Sequence, residues 1–145
     1  MIRIICVGKL KEKYLTDFID DYKTRLSKYT KIEIIELKDS NINKESEEIL
    51  KTINDKDYNI MMDINGKKLD SIGFSKLIDK TFSEGYGTIA FIIGASNGVT
   101  DEVKNKCNYQ LSFSDMTFPH GVFRCILLEQ IYRSFKILNN ESYHK

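Results

Sequence analysis

The segment from Leu111 to Arg124 contains the side chains of this sequence that are best suited to binding a ligand. It reads L-S-F-S-D-M-T-F-P-H-G-V-F-R and includes the single proline, Pro119, and one of the two histidines, His120. Proline biases Phe118 toward an extended backbone, and its fixed φ suits the first turn of a helix. We therefore predict a shaped loop between a strand and a helix, which is where α/β proteins bind ligands.

A second loop, Gly94-Ala95-Ser96-Asn97-Gly98, follows a buried apolar run and precedes a helical pattern. Its glycines would let the backbone approach a nucleotide-like ligand closely. The spacing also fits the G-x-S-x-G elbow of α/β-hydrolases, with Ser96 as the nucleophile, and it fits a plain glycine-rich turn. A hydrolase also requires an acid, for which Asp101 and Asp115 are the candidates, and a base, for which His120 and His144 are the candidates.

Charged side chains mark the last predicted helix and the tail that follows it. Arg124, Glu129, Arg133 and Lys136 lie on the helix. Taken alone, an i,i+4 pair such as Glu129 and Arg133 is typical of a solvated helix face. The tail Tyr143-His144-Lys145 combines a ring, an imidazole and an ammonium, which suit a base and a phosphate, although the last residues of a chain are often frayed.

The bulk composition is that of an ordinary globular domain. The chain has 145 residues, 41% hydrophobic and 30% charged, with a net charge of +1. Its basic excess lies near the two ends, so it is not the globally basic type of RNA-binding domain. Cys6, Cys107 and Cys125 have no metal-binding spacing, and with no signal-peptide pattern they favour a reducing cytoplasm. No apolar stretch approaches the length of a membrane span.

The hydrophobic pattern predicts one domain, residues 1–145, with the order βαβαβαβαβα. Strands are predicted at 2–7, 32–37, 58–64, 88–93 and 109–113, and helices at 11–29, 44–53, 71–82, 100–107 and 121–138. Asn65-Gly66 is predicted to be a turn that closes the third strand. Such alternation indicates a mostly parallel sheet flanked by helices, in which the residues after Met62, Ile93 and Phe113 line one crevice.

Several motifs together resemble one family. They are V-G-K-L-K-E-K-Y from Val7, D-I-N-G-K from Asp63, F-I-I-G-A-S-N-G from Phe91, L-S-F-S-D-M-T-F-P-H from Leu111, and the final Y-H-K. In this order they are similar to the RlmH family of ribosomal RNA large-subunit pseudouridine N3-methyltransferases, of the SPOUT class. The resemblance runs the length of the chain. Ala95 and Gly121 depart from the residues that are usual in the family.

The resemblance implies a cytoplasmic homodimer with a C-terminal trefoil knot, which binds S-adenosylmethionine and acts on 23S rRNA in the assembled ribosome without a metal. By similarity, the cofactor-binding residues are Met62, Gly94, Phe113, Ser114, Asp115, Met116, Thr117 and Phe118. The catalytic candidates are Glu129, Arg133 and His144, in a site shared with the partner's cofactor pocket. The expected RNA contacts are Arg124, Lys136, Tyr143 and Lys145, with help from Arg133 and the basic N-terminal helix.

Two alternatives remain open at this point. One is a serine hydrolase that uses Ser96, and the other is a non-catalytic dimer that binds the ribosome. His120 is expected to have a structural role beside the ligand site rather than a catalytic one.

Overall fold

The computed structural model describes residues 1–145 as five strands and five helices in the predicted alternating order. The strands are β1 (Ile2–Val7), β2 (Ile32–Leu37), β3 (Tyr58–Lys68), β4 (Ile89–Ile93) and β5 (Tyr109–Ser112). The helices are α1 (Lys13–Leu26), α2 (Ile42–Thr52), α3 (Ser71–Ser83), α4 (Asp101–Lys106) and α5 (His120–Leu138). The sheet has the order β2-β1-β4-β3-β5 and is parallel throughout, which confirms the predicted fold class.

The central strands β1 and β4 are apolar on both faces because helices cover both sides of the sheet. Ile4 and Phe91 belong to the larger core, beneath α1, α3 and α5. Ile5 and Ile92 point to the opposite face, where they pack with residues of α2 and α4. This two-sided burial explains why Ile89–Ile93 reads as a continuous apolar run rather than as an alternating one.

Strand β3 does not end at Asn65-Gly66, so the predicted turn is wrong as a strand boundary. The turn signal instead forms a bulge, since Met62 and Lys67 both lie opposite Leu111 of β5. Gly66 comes so close to β5 that an added Cβ would lie 2.6 Å from the carbonyl carbon of Gln110. A residue without a side chain is therefore required where the bulge passes its neighbour.

Helix α5 returns from the edge strand β5 to lie against both α1 and α3. Pro119 precedes its first residue, as the fixed φ of proline predicts. A Cβ at Gly121 would lie 2.7 Å from Leu15 Cδ1 and 2.8 Å from Leu10 Cδ2. The unusual glycine thus admits the β1–α1 loop against the start of α5. None of the five helices is both long enough and apolar enough to cross a membrane.

Candidate cofactor site and the C-terminal cluster

The ends of β3, β4 and β5 surround a cavity of about 320 Å³. It opens at the carboxyl edge of the sheet, where the loops after parallel strands converge. Residues following Met62, Ile93 and Phe113 line it, so three segments distant in sequence meet as predicted. Apolar side chains make up 11 of its 20 lining residues, and a mostly apolar wall with a few polar groups is typical of a small-molecule site.

Most of the predicted cofactor residues line this cavity. They are Met62, Gly94, Phe113, Ser114, Met116, Thr117 and Phe118. Asp115 is the exception, because its side chain is 80% exposed and forms an ion pair with Lys68 outside the cavity. Its carboxylate therefore does not contribute to the cavity wall, and only the main chain of Asp115 is left to contact the cofactor.

The loop from Gly94 to Gly98 contributes Gly94, Ala95, Ser96 and Gly98 to the cavity wall. An added Cβ at Gly94 would lie 2.8 Å from Val99 Cγ1, so this position has no room for a larger residue. Gly98 has a φ of +77°, and its N–H donates to the Ala95 carbonyl at 2.8 Å, which closes a tight turn. The departure at Ala95 is compatible with this turn, since only its backbone takes part.

Hydrogen bonds within the segment from Phe113 to Phe118 hold its shape. Ser112 Oγ donates to the Ser114 carbonyl at 3.0 Å, and the Met116 N–H donates to Ser114 Oγ at 3.0 Å. The ring of Phe113 packs against Phe74 and Phe123 at centroid distances of 5.4 and 5.5 Å. The loop is thus anchored to α3 and α5 before any ligand binds.

The hydrolase alternative has no geometric support. Ser96 is exposed and makes no hydrogen bond to either histidine, whereas a serine nucleophile needs a base within reach. His120 lines the same cavity but contacts no acid that would orient it as a base. No group of three or more His, Cys, Asp or Glu side chains is placed to bind a metal ion.

Asp63 and Lys104 are two charged residues of the cavity wall that the sequence analysis did not single out. Asp63 directly follows Met62, so it belongs to a segment that was predicted to line the crevice, but its side chain was given no role. Lys104 was interpreted as part of an ordinary short helix. No comparable signal marks Lys104, because only the packing of α4 beside β3 brings it to the cavity.

The predicted catalytic residues meet in a separate cluster at the end of α5. Arg133 Nη2 lies 3.1 Å from Glu129 Oε2, and Arg133 Nη1 lies 3.1 Å from His144 Nδ1. Tyr143 Oη donates to Glu129 Oε2 at 2.9 Å. Burial raises the pKa of Tyr143, and its hydrogen bonds with Tyr22 and Glu129 raise that pKa further. The phenol therefore stays protonated and keeps donating to the carboxylate.

A second set of contacts fixes the tail that carries His144. Tyr29 Oη donates to Glu141 Oε1 at 2.6 Å, and Lys136 Nζ donates to Glu141 Oε2 at 3.0 Å. The Tyr29 hydrogen bond, followed by that of Lys136, lowers the pKa of Glu141. Lys136 also lies over the ring of Tyr132, at 5.4 Å from the centroid. These contacts occupy Lys136, whose side chain is only 13% exposed.

The predicted RNA contacts are placed differently from one another. Arg124 is buried, with its side chain 3% exposed, and donates to Glu36 Oε2 at 2.6 Å and to the Gly8 carbonyl at 3.2 Å. This placement contradicts a phosphate contact, so Arg124 is a structural residue between α5 and the β1–β2 region. The guanidinium carbon of Arg133 lies 4.8 Å from the centroid of the Tyr143 ring and covers one of its faces. Lys145 is exposed and accessible to a phosphate.

The cluster and the cavity are distinct within one chain. None of Glu129, Arg133 and His144 lines the cavity. Gln130 links the two regions, because its Nε2 donates to Glu129 Oε1 while its Oε1 accepts from Ser71 Oγ. Gln130 and Ser71 line a small neighbouring pocket together with Phe113 and Phe118 of the cavity wall. A single subunit therefore holds the two parts of the predicted active site apart.

Comparison with known proteins agrees with this geometry. A family model described as "Predicted SPOUT methyltransferase" matches residues 1–144. A protein of Clostridium botulinum (strain Kyoto / Type A2), named ribosomal RNA large subunit methyltransferase H, is 50% identical over 99% of both chains. One of the same name from Caldicellulosiruptor saccharolyticus is 45% identical over the full length of both. The chain belongs to the RlmH family of SPOUT methyltransferases.

Solved structures support the same fold at low sequence identity. A probable methylase family protein from Haemophilus influenzae Rd KW20 aligns over 99% of this chain and 70% of its own, with a TM-score of 0.62 and 12% identity. The SpoU methyltransferase AviRb from Streptomyces viridochromogenes, solved with AdoMet, aligns over 92% of this chain and 60% of its own, with a TM-score of 0.50 and 10% identity.

Members of the RlmH family use S-adenosylmethionine, and the residues of the cavity fit that cofactor. The apolar walls formed by Met62, Ile93 and Leu111 suit an adenine ring. Gly94, which has no side chain, would let the backbone of this loop come close to a ligand. The cavity wall also contains two charged side chains, those of Asp63 and Lys104, so it is not purely apolar.

Proposed function

We propose that this protein transfers a methyl group from S-adenosylmethionine to N3 of a pseudouridine in the 23S RNA of the assembled ribosome. Family membership establishes the methyltransferase class, and the full-length relatives carry the name of a ribosomal RNA large-subunit enzyme. The observation that carries the proposal is the cavity at the ends of β3, β4 and β5, which seven of the eight residues assigned to the cofactor line.

When bound, the cofactor supplies an electrophilic methyl group on a sulfonium, so no Lewis acid is required and we propose that no metal takes part. The chain contributes position, since a near-attack geometry needs the reacting atoms about 3–3.5 Å apart. The N3 proton must also leave. Glu129 and His144 are the candidates to accept it, and Arg133, which contacts both, orients them.

We further propose that the active site is shared between two subunits of a homodimer. This is supported by the Glu129, Arg133 and His144 cluster, which lies outside the cavity of its own chain, so that a second copy would bring the two parts together. Each tail would then serve the cofactor of its neighbour. A two-fold dimer provides two such sites by symmetry.

The RNA-binding surface is proposed to include Lys145 and the basic β1–α1 loop. Lys9 and Lys11 are exposed and flank Leu10, which packs against Gly121 next to the cavity residue His120. Lys136 and Tyr143 are better suited to holding the tail, because their polar groups already bond to Glu141 and Glu129. A net charge of only +1 favours a large, shaped partner such as the ribosome over free RNA.

The remaining features of the family are proposed on the same basis. The chain is expected to form one SPOUT domain over residues 1–145, with its C-terminal region threaded as a trefoil knot, and to work in the cytoplasm.

The test is transfer of labelled methyl from S-adenosylmethionine to ribosomes that lack the modification, compared with isolated large subunits and protein-free 23S RNA. Incorporation with assembled ribosomes, and little with free RNA, supports the proposal. Binding to ribosomes without incorporation would instead establish the non-catalytic alternative. An Arg133→Ala variant provides the background, since it removes the residue that contacts both proton-accepting candidates.

A further inference from the structure

Asp63 is the only carboxylate and Lys104 the only lysine or arginine among the residues that line the cavity, which also include His120. Asp63 lies in the β3 bulge and Lys104 lies on α4. Lys104 Nζ is 3.2 Å from Asp63 Oδ2, and the two side chains are 31% and 10% exposed. An ion pair thus joins two walls of a cavity whose other lining residues are mostly apolar.

The pair has unused hydrogen-bonding capacity on the lysine. Asp63 Oδ1 accepts the N–H of Asn65 at 3.0 Å, so both carboxylate oxygens already have a partner. An ammonium group carries three N–H donors, and the contact with Asp63 satisfies at most one of them. Asp63 is the only carboxylate within ion-pair distance of Lys104. Two donors of Lys104 are therefore available to a ligand.

The methionine portion of the cofactor has a carboxylate that requires a charged hydrogen-bond donor. The adenosine portion is uncharged, whereas the methionine portion carries a carboxylate and an ammonium. A carboxylate held among apolar walls needs a charged donor, because desolvating it without a partner is costly. No Arg and no other Lys lines the cavity.

We propose that Lys104 binds the carboxylate of the methionine portion of S-adenosylmethionine, and that Asp63 positions the Lys104 ammonium for this contact. The proposal rests on this cavity being the cofactor site. It assigns the bulge a function, since the extra residues of β3 carry Asp63 to the wall that faces α4. The same pair would retain S-adenosylhomocysteine after transfer, because the product keeps the amino-acid end.

A purely structural role is the competing interpretation, in which the ion pair only ties β3 to α4. The two interpretations differ in which ligand they affect. A structural tie shapes the whole cavity and so influences every ligand, whereas a carboxylate contact affects only ligands that have the amino-acid portion.

The experiment is calorimetric titration with two thioethers, S-adenosylhomocysteine and 5′-methylthioadenosine, which differ by the amino-acid portion. Lys104→Met is expected to lower the affinity for S-adenosylhomocysteine about 10- to 100-fold, as for loss of a hydrogen-bonded charge. The affinity for methylthioadenosine is expected to stay within about twofold of the wild-type value. Lys106→Met is the matched control, because Lys106 lies on the same helix outside the cavity, and it should change neither affinity.

Equal weakening of both ligands, or no change in either, would overturn the proposal. Lys104→Arg is the second variant, in case the methionine substitution disturbs folding. It keeps the charge and is expected to preserve tighter binding of S-adenosylhomocysteine than of methylthioadenosine, and loss of that preference would count against the carboxylate contact. If the wild-type protein binds neither thioether, the cofactor site itself is wrong. If the wild-type protein binds both thioethers and Lys104→Met changes neither affinity, the cofactor site is right and only the proposed role of Lys104 is wrong.

Discussion

Tyr143 Oη donates a hydrogen bond to Glu129 Oε2 at 2.9 Å, across 14 positions of the chain. Tyr143 also lies 3.3 Å from Tyr22 Oη on α1. Because the single phenolic hydrogen of Tyr143 points to Glu129, Tyr22 must be the donor in the second contact. The C-terminal tail is thus fixed to two helices, and this brings His144 beside Arg133.

Glu141→Gln is expected to loosen this tail and to lower the rate of methyl transfer while leaving cofactor affinity unchanged. The substitution removes the charge that Lys136 and Tyr29 hold. Faster release of Lys145 and His144 by a carboxypeptidase, measured against the wild type, checks the loosening. A variant with a firmly protected tail would show that Glu141 is not an anchor.

The same anchor predicts a pH dependence for the tail. The folded pKa of Glu141 is below its ordinary value of 4.5, because Tyr29 and then Lys136 favour the carboxylate. Its contribution to stability is therefore complete above the unfolded pKa and is lost as the pH falls through the folded pKa. Nuclear relaxation of the Lys145 amide should report a mobile tail only below pH 4.5. Equal mobility at pH 7 would contradict the anchor.

Arg124→Met is expected to reduce the free energy of unfolding by about 1–3 kcal/mol, because it removes the hydrogen bonds of the buried guanidinium to Glu36 and to the Gly8 carbonyl. The salt dependence of ribosome binding should not change, since Arg124 is not a phosphate contact. Urea denaturation measures the first effect. Lys51→Met, which alters an exposed pair with Glu48, should change stability by less than about 1 kcal/mol. A weaker salt dependence of ribosome binding for Arg124→Met would show that Arg124 does contact RNA.

Gly66→Ala is expected to destabilise the protein by about 1–3 kcal/mol and to lower its affinity for the cofactor. The reason is that the new Cβ would push the β3 bulge away from Gln110. Thermal unfolding and titration with S-adenosylhomocysteine measure the two effects. Gly87→Ala is the control, since nothing lies within 4 Å of a Cβ at that position. If the two variants unfold alike, the close approach at Gly66 is not needed.

A mixed dimer tests whether the active site is shared between subunits. Gly94→Val would block the cofactor loop, and His144→Ala would remove the tail imidazole, so each homodimer should be inactive. A purified heterodimer of the two has one cavity and one tail intact, on opposite chains. It should regain about half of the wild-type rate if the tail acts on its neighbour. A site within one subunit would leave the heterodimer inactive.

The sequence was sufficient for the element order and for the crevice, because buried parallel strands read as apolar runs and their loops share one edge. It misjudged Asn65-Gly66, since a turn signal does not distinguish the end of a strand from a bulge within it. Arg124 has the type of a phosphate ligand, and only packing beside Glu36 shows that it is buried. Lys104 reaches the cavity through the placement of α4, which periodicity does not encode.

The most direct test of the central claim is nucleoside analysis by mass spectrometry of 23S RNA from modification-deficient ribosomes, after incubation with the protein and S-adenosylmethionine. We predict that N3-methylpseudouridine appears at up to one equivalent per ribosome and that Arg133→Ala does not produce it. A methyl group on another nucleoside, or no methylation by a protein that binds both ribosome and cofactor, would contradict the proposed function.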